Sequence, residues 1–170
     1  MAALRENLRQ DFARNRDPLT RAVLLVFRYG QWADRRRGAA RLLLGLPHKV
    51  ANLFLLRLGV GCDLPPQLAC GPGLRLHHAG RGLAVHKRAV LGANVTLFHD
   101  VAIGQRDNTG EPTLEDDVVI GVGARVLGPV HLGQGAKVGA NAVVLDDVPA
   151  GGSALGPRAT IRPPAGAPAL

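Results

Sequence analysis

From Leu114 an aliphatic residue returns every six positions: Leu114, Ile120, Val126, Leu132, Val138 and Val144. Four places after each anchor stands Val118, Ala124, Val130, Ala136, Ala142 or Val148, always small or β-branched. A period of six is neither the 3.6 of a helix nor the 2 of an ordinary strand. It suits short strands joined by tight corners, with the anchor pointing inward and small residues or glycine letting the backbone turn. Three hexads make a triangular coil of about 18 residues, and stacked coils pair strand on strand at ~4.8 Å. The rhythm extends upstream through Val85, Leu91, Leu97 and Ile103, and earlier through Leu64, Cys70 and Leu76. It slips between Leu76 and Val85 and between Ile103 and Leu114, which throws out loops at 79–84 and 104–113, the places to look for function.

Before residue 61 the pattern is helical. Residues 4–15 and 19–32 read as helices, the second with Ala22, Leu25, Val26 and Tyr29 as its apolar stripe. Asp17-Pro18 is the start signal of that helix. A third apolar helix is expected from about Lys49 to Leu58. The fold class is therefore mainly β, a left-handed parallel β-helix of hexapeptide repeats with an α-helical N-terminal extension. Its parts are a basic helical region at 1–60, the β-helix at 61–161 and a Pro/Ala-rich tail at 162–170.

Charge separates the two parts. Residues 1–60 hold 12 Lys/Arg against four acids, whereas residues 61–170 hold nine of each, so the formal +8 belongs wholly to the first third. Such a stretch can face an acidic membrane surface or an acidic partner, or be simply the solvated side of the helices. Aromatics are few and none is interleaved with Arg35–Arg37, so no nucleic-acid partner is expected. The longest apolar runs fall far short of the ~20 residues that span a bilayer, and no signal peptide is evident. Cys62 and Cys70 lie in no metal-like spacing and read as reduced thiols of a cytoplasmic protein.

Stacking arithmetic places candidate chemistry. His78, His99 and Val122 each follow an anchor by two positions and should form one column, with the two histidines about one strand spacing apart. Asp63 lies almost one coil before His78 and could approach it from below. A histidine backed by a carboxylate suits general-base activation of a hydroxyl, the carboxylate fixing the tautomer and stabilising the imidazolium. The alternative is that His77 and His78 are only exposed corner residues. A zinc β-helix enzyme would need His78, His99 and His131 around the metal, but His131 directly precedes anchor Leu132 on another corner. A non-catalytic trimeric scaffold is the remaining alternative.

The segments LRLHHAGRGLAV (Leu74–Val85), LGANVTLFHDVAIG, GEPTLEDDVVIGVGARVLGPVHLGQGAKVGANAVVLDDVP and GPRATI resemble the serine acetyltransferase family of hexapeptide-repeat enzymes, including short relatives linked to surface-polysaccharide acetylation. The resemblance implies acetyl-CoA as donor, no metal, and a homotrimer with active sites between neighbouring prisms. It implies His78 as catalytic base and Asp63 as its orienting acid. Gly104, Val122 and Ala140 match positions lining the CoA cleft, and Lys137 stands where a basic residue can meet a CoA phosphate. On the acceptor side stand His77, His99, Arg106 and Glu111. Three departures bear on the acceptor. His77 replaces the Asp usual before the catalytic His. Gly110 and Glu111 replace an Arg-His pair that would grip an amino-acid carboxylate, leaving Arg106 as the loop's cation. The helical region is shorter than in the long cysteine-pathway enzymes, which favours a single trimer. The acceptor implied is L-serine, for cysteine biosynthesis, with a sugar hydroxyl of a surface polysaccharide as the alternative.

Overall fold

The computed structural model describes residues 1–160; the tail assigned to 162–170 lies outside them. Three parallel sheets of four, five and four strands wind into a left-handed β-helix. The first face stacks Ala69–Cys70, Val90–Leu91, Thr113–Leu114 and His131–Leu132. The second stacks Arg75–Leu76, Thr96–Leu97, Val119–Ile120, Lys137–Val138 and Ser153–Ala154. The third stacks Ala84–Val85, Ala102–Gly104, Arg125–Leu127 and Val143–Val144. Leu76 pairs with Leu97, Leu97 with Ile120 and Ile120 with Val138, so anchors sit on anchors. All six anchors from Leu114 to Val144, and all six residues four places after them, are buried. Hydrophobic burial at that repeat is what drives the coil.

Three helices precede the solenoid: α1 (Ala2–Arg14), α2 (Pro18–Asp34) and α3 (Gly38–Ala51). Asp17 caps α2 by accepting hydrogen bonds from the amide and hydroxyl of Thr20 at 2.7 and 2.8 Å. The buried side of α2 is not the stripe expected from the sequence. Val23, Leu24 and Phe27 are fully buried, while Leu25 is 49% exposed. The stripe rotates because Arg28 is buried too, held by partners that a hydrophobicity pattern cannot reveal. The third helix is also longer than expected. α3 continues through Pro47 into a π-helical segment, Asn52–Val60, and ends at Gly61 in the left-handed conformation.

The helices finish the open end of the solenoid. The first coil has no coil beneath it, so its edge strands would leave backbone donors and acceptors unpaired. Asp11 accepts from the Leu74 amide at 2.9 Å, and Asn15 accepts from the Leu76 amide at 3.0 Å. Arg28 donates to the carbonyls of Cys70 and Gly71 at 2.9 and 2.6 Å, and Gln31 donates to Leu68 at 2.8 Å. Asp11 and Arg28 meet in a forked pair at 2.7 and 3.1 Å, both sealed from solvent. Polar side chains thus replace the missing strand, and the helical region is bound to the prism as its cap.

Candidate active site

The register decides which side chains meet. Two places after the paired residues Leu76, Leu97, Ile120 and Val138 stand His78, His99, Val122 and Ala140, one column up the corner between the second and third faces. The His78 and His99 rings lie 4.8 Å apart, edge to face. His77 stacks on Phe98 at 3.9 Å with the planes nearly parallel. Burial first, then the charge of Arg75, holds the His77 imidazole below its ordinary pKa. His78 and Ala79 both take left-handed φ, +54° and +58°. For residues other than glycine that conformation costs about 1–2 kcal/mol each, and it turns the His78 ring out of the corner.

Against this corner the α1–α2 turn forms a wall. The depression between them, about 730 Å³, is lined by Arg14, Arg16, Asp17, Arg75, Arg81 and the three histidines, among others. Arg14 donates to the Gly73 carbonyl and to Thr96 Oγ1. Arg75 is exposed, and Asp17 is the one carboxylate lining the depression among the described residues. None of these three was singled out from sequence as an acceptor-side residue. Asp17 was visible only as a helix cap, and Arg14 and Arg75 only as members of a charge count.

The remaining sequence candidates lie elsewhere on the protomer. Asp63 bridges to Ala84, with its amide donating to the Leu83 carbonyl at 2.8 Å, which sets it on the third face rather than beside His78. Its carboxylate is 3.2 Å from Arg57, and among the described residues it has no hydrogen bond to His78. The approach from the coil below is therefore not formed in the protomer. Arg106 and Glu111 occupy the corner between the third and first faces. Glu111 accepts from Arg88 at 2.7 Å and Gln105 at 2.6 Å, and Arg106 packs over Gly128. Gly104 lies at the start of that loop, whereas Lys137 is exposed on the second face, three residues before Ala140. His131 is 3.1 Å from Glu115 on the first face, apart from His78 and His99. Among the described residues, no cluster of three or more His, Cys, Asp or Glu is placed to hold a metal ion. Cys62 and Cys70 are free thiols, pushed up to about 12 and about 11 chiefly by burial.

Short strands joined by corners at every hexad are the architecture of hexapeptide-repeat proteins. Residues 111–146 match the bacterial transferase hexapeptide family (six repeats). The serine acetyltransferase of Mycobacterium tuberculosis is 36% identical over 163 residues, 88% of this chain and 67% of that protein. A soybean serine acetyltransferase solved in complex with serine superposes with a TM-score of 0.73 at 34% identity, over 92% of this chain and 68% of the other. A serine acetyltransferase solved in complex with CoA gives 0.70 at 25% identity, over 91% and 68%. The chain belongs to the serine acetyltransferase family. The chain spans only 45–63% of the length of several other curated serine acetyltransferases that it matches.

Proposed function

We propose that this protein transfers the acetyl group of acetyl-CoA to the hydroxyl of L-serine, as a homotrimer in the cytoplasm, in the service of cysteine biosynthesis. The observation that carries the reading is the His78–His99–Val122–Ala140 column, in which an outward imidazole stands at the foot of a groove of small residues. His78 is the base. Its neutral imidazole takes the hydroxyl proton as the acceptor oxygen attacks the thioester carbonyl. The C–O bond forms, the C–S bond breaks, and the departing sulfur takes the proton back from the imidazolium. Val122 and Ala140 leave room for the pantetheine arm to lie against backbone amides, and Lys137 meets a phosphate. Gly104 lines the opposite wall from a neighbouring prism. Asp63 exchanges Arg57 for His78 when the site is assembled and stabilises the imidazolium.

Serine carries a carboxylate and an ammonium, and the depression sets four arginines against the single carboxylate of Asp17 among the described residues. Arg75 suits the carboxylate and Asp17 the ammonium, with His77 and His99 flanking the hydroxyl. Arg106 and Glu111 then act only from a neighbouring subunit's loop. Thiol release from acetyl-CoA, measured against serine and a panel of sugars, tests the reading. Serine is expected to drive release, and Arg75→Ala to raise the serine KM by about tenfold or more with the acetyl-CoA KM nearly unchanged. A larger effect from Arg106→Ala would move the carboxylate grip to the loop. A second reading, transfer to a sugar hydroxyl, is favoured by Gly110 and Glu111, which remove the family's cationic pair. Release with a sugar and none with serine would establish it in place of the first.

A further inference from the structure

We propose that the helix running from Gly38 to Val60 lies flat on an anionic lipid surface and holds the protein there. Its 23 residues have a mean hydropathy of 1.2 in their most apolar stretch, yet only 17% of that stretch is buried. Leu42, Leu43, Leu46, Val50, Phe54 and Leu58 are each between 51% and 72% exposed. Their spacing of three and four places them along one side of the helix, a continuous apolar stripe rather than scattered leucines.

The opposite side is fastened to the protein. His48 is buried, and a Cβ on Gly30 of α2 would fall 2.2 Å from its Nε2, so the two helices touch with no room for a side chain. Tyr29 donates its hydroxyl to the Leu44 carbonyl at 3.0 Å. Leu56 and Val60 are buried in the core. These attachments keep the stripe facing outward and tie the helix along the body of the protein, so that it lies in an interface rather than crossing it.

Charge selects the occupant. From Arg35 to Cys62 there is no acidic residue, while Arg35, Arg36, Arg37, Arg41, Lys49 and Arg57 are all present and exposed. Arg41 pairs with Asp34 and Arg57 with Asp63, which leaves the Arg35–Arg37 run and Lys49 without ion-pair partners among the described residues. An apolar stripe bordered by unopposed cations complements a bilayer rich in anionic headgroups, which attract basic residues close to the surface. A second copy of the same face would bring cations against cations with no acid between them, which argues against self-association there.

The test is flotation of the full chain with vesicles of phosphatidylcholine alone or with about 30 mol% phosphatidylglycerol. Binding is expected to the anionic vesicles only, weakening about tenfold or more between about 0.1 and 0.5 M salt. Leu42→Ser with Leu46→Ser and Phe54→Ser should abolish flotation, as should Arg35→Glu with Arg36→Glu and Arg37→Glu. All six positions are exposed, and unaltered thermal unfolding would show that the fold survives the changes. No flotation, or flotation that ignores the stripe substitutions, overturns the proposal. So does an assembly seen by sedimentation whose size falls when the stripe is made polar, because the face would then be covered by another copy.

Discussion

His78 is held on a left-handed backbone at a corner where two successive residues depart from the usual φ, and its ring meets His99 rather than solvent alone. Such a placement is consistent with a base whose direction is fixed before substrate arrives. His78→Ala is expected to lower turnover by about two to four orders of magnitude with CoA binding little changed, since the column above it is untouched. Steady-state turnover with CoA affinity measured in parallel checks this, and near-normal turnover would transfer the role to His99. Asp63 raises a question of magnitudes. Its pair with Arg57 is more than half exposed on the Arg57 side and half exposed on its own, so the pair contributes about 1 kcal/mol or less. Giving up Arg57 for an imidazolium is therefore cheap. Arg57→Ala should leave turnover within a few-fold of wild type, whereas Asp63→Asn should slow it by about tenfold or more. Equal effects from the two variants would mean that Asp63 serves Arg57 and not the base. The meeting of His78 with His99 was legible in the sequence, because each stands two places after its anchor and the nine-residue step from Leu76 to Val85 is a corner loop that leaves Leu76 paired with Leu97. The partners of Asp63, Arg106 and Glu111 were not, because a period fixes the corner on which a residue stands and says nothing of which neighbour its side chain selects.

At the scale of elements, the join between helices and solenoid rests on Arg28. Desolvation opposes its charge, but the hydrogen bonds it donates to Asp11, together with the charge attraction around it, outweigh that, and the guanidinium is held above its ordinary pKa. Replacing Arg28 with Met would strand the Asp11 carboxylate and unpair the carbonyls of Cys70 and Gly71. Removing one member of a buried pair costs about 3–5 kcal/mol, so Arg28→Met is expected to lose that much in urea unfolding. A loss below about 1 kcal/mol would show that the cap does not depend on this residue. The hexads were readable because burial of every anchor imposes one chemistry on each sixth position. The cap was not readable, since Asp11, Asn15, Arg28 and Gln31 look like solvent-facing residues until the open edge of the first coil is set against them. The same blindness displaced the apolar stripe of α2, which was expected through Ala22, Leu25, Val26 and Tyr29 while the helix buries Val23, Leu24, Phe27 and Arg28. The third helix, expected only from about Lys49, begins at Gly38 and runs through Pro47.

At the scale of the whole molecule, one prism carries the pieces of a site on different corners. His78, Val122 and Ala140 share one corner, and Gly104 with its loop stands on the next. Gly104 itself gives the reason to look beyond a single chain. Its φ is not in the left-handed region, and a Cβ there would meet nothing within 4 Å, so its own protomer does not require a glycine. A ligand or a neighbouring subunit approaching closely at this point would give the glycine a role. In the proposed trimer both arrive together: CoA lies between the Gly104 wall of one prism and the Val122–Ala140 column of the next. Gly104→Leu should then fold normally and block the donor, and His78→Ala should remove the base, leaving each variant nearly inactive alone. Co-refolded in equal amounts they form mixed trimers, each with one junction where an intact His78 faces an intact Gly104. Since mixed species are the majority and each has one working site of three, recovery of about a quarter of wild-type turnover is expected. If donor and base were served by a single chain, no mixture could rebuild a site, and the refolded pool would stay as inactive as its parts.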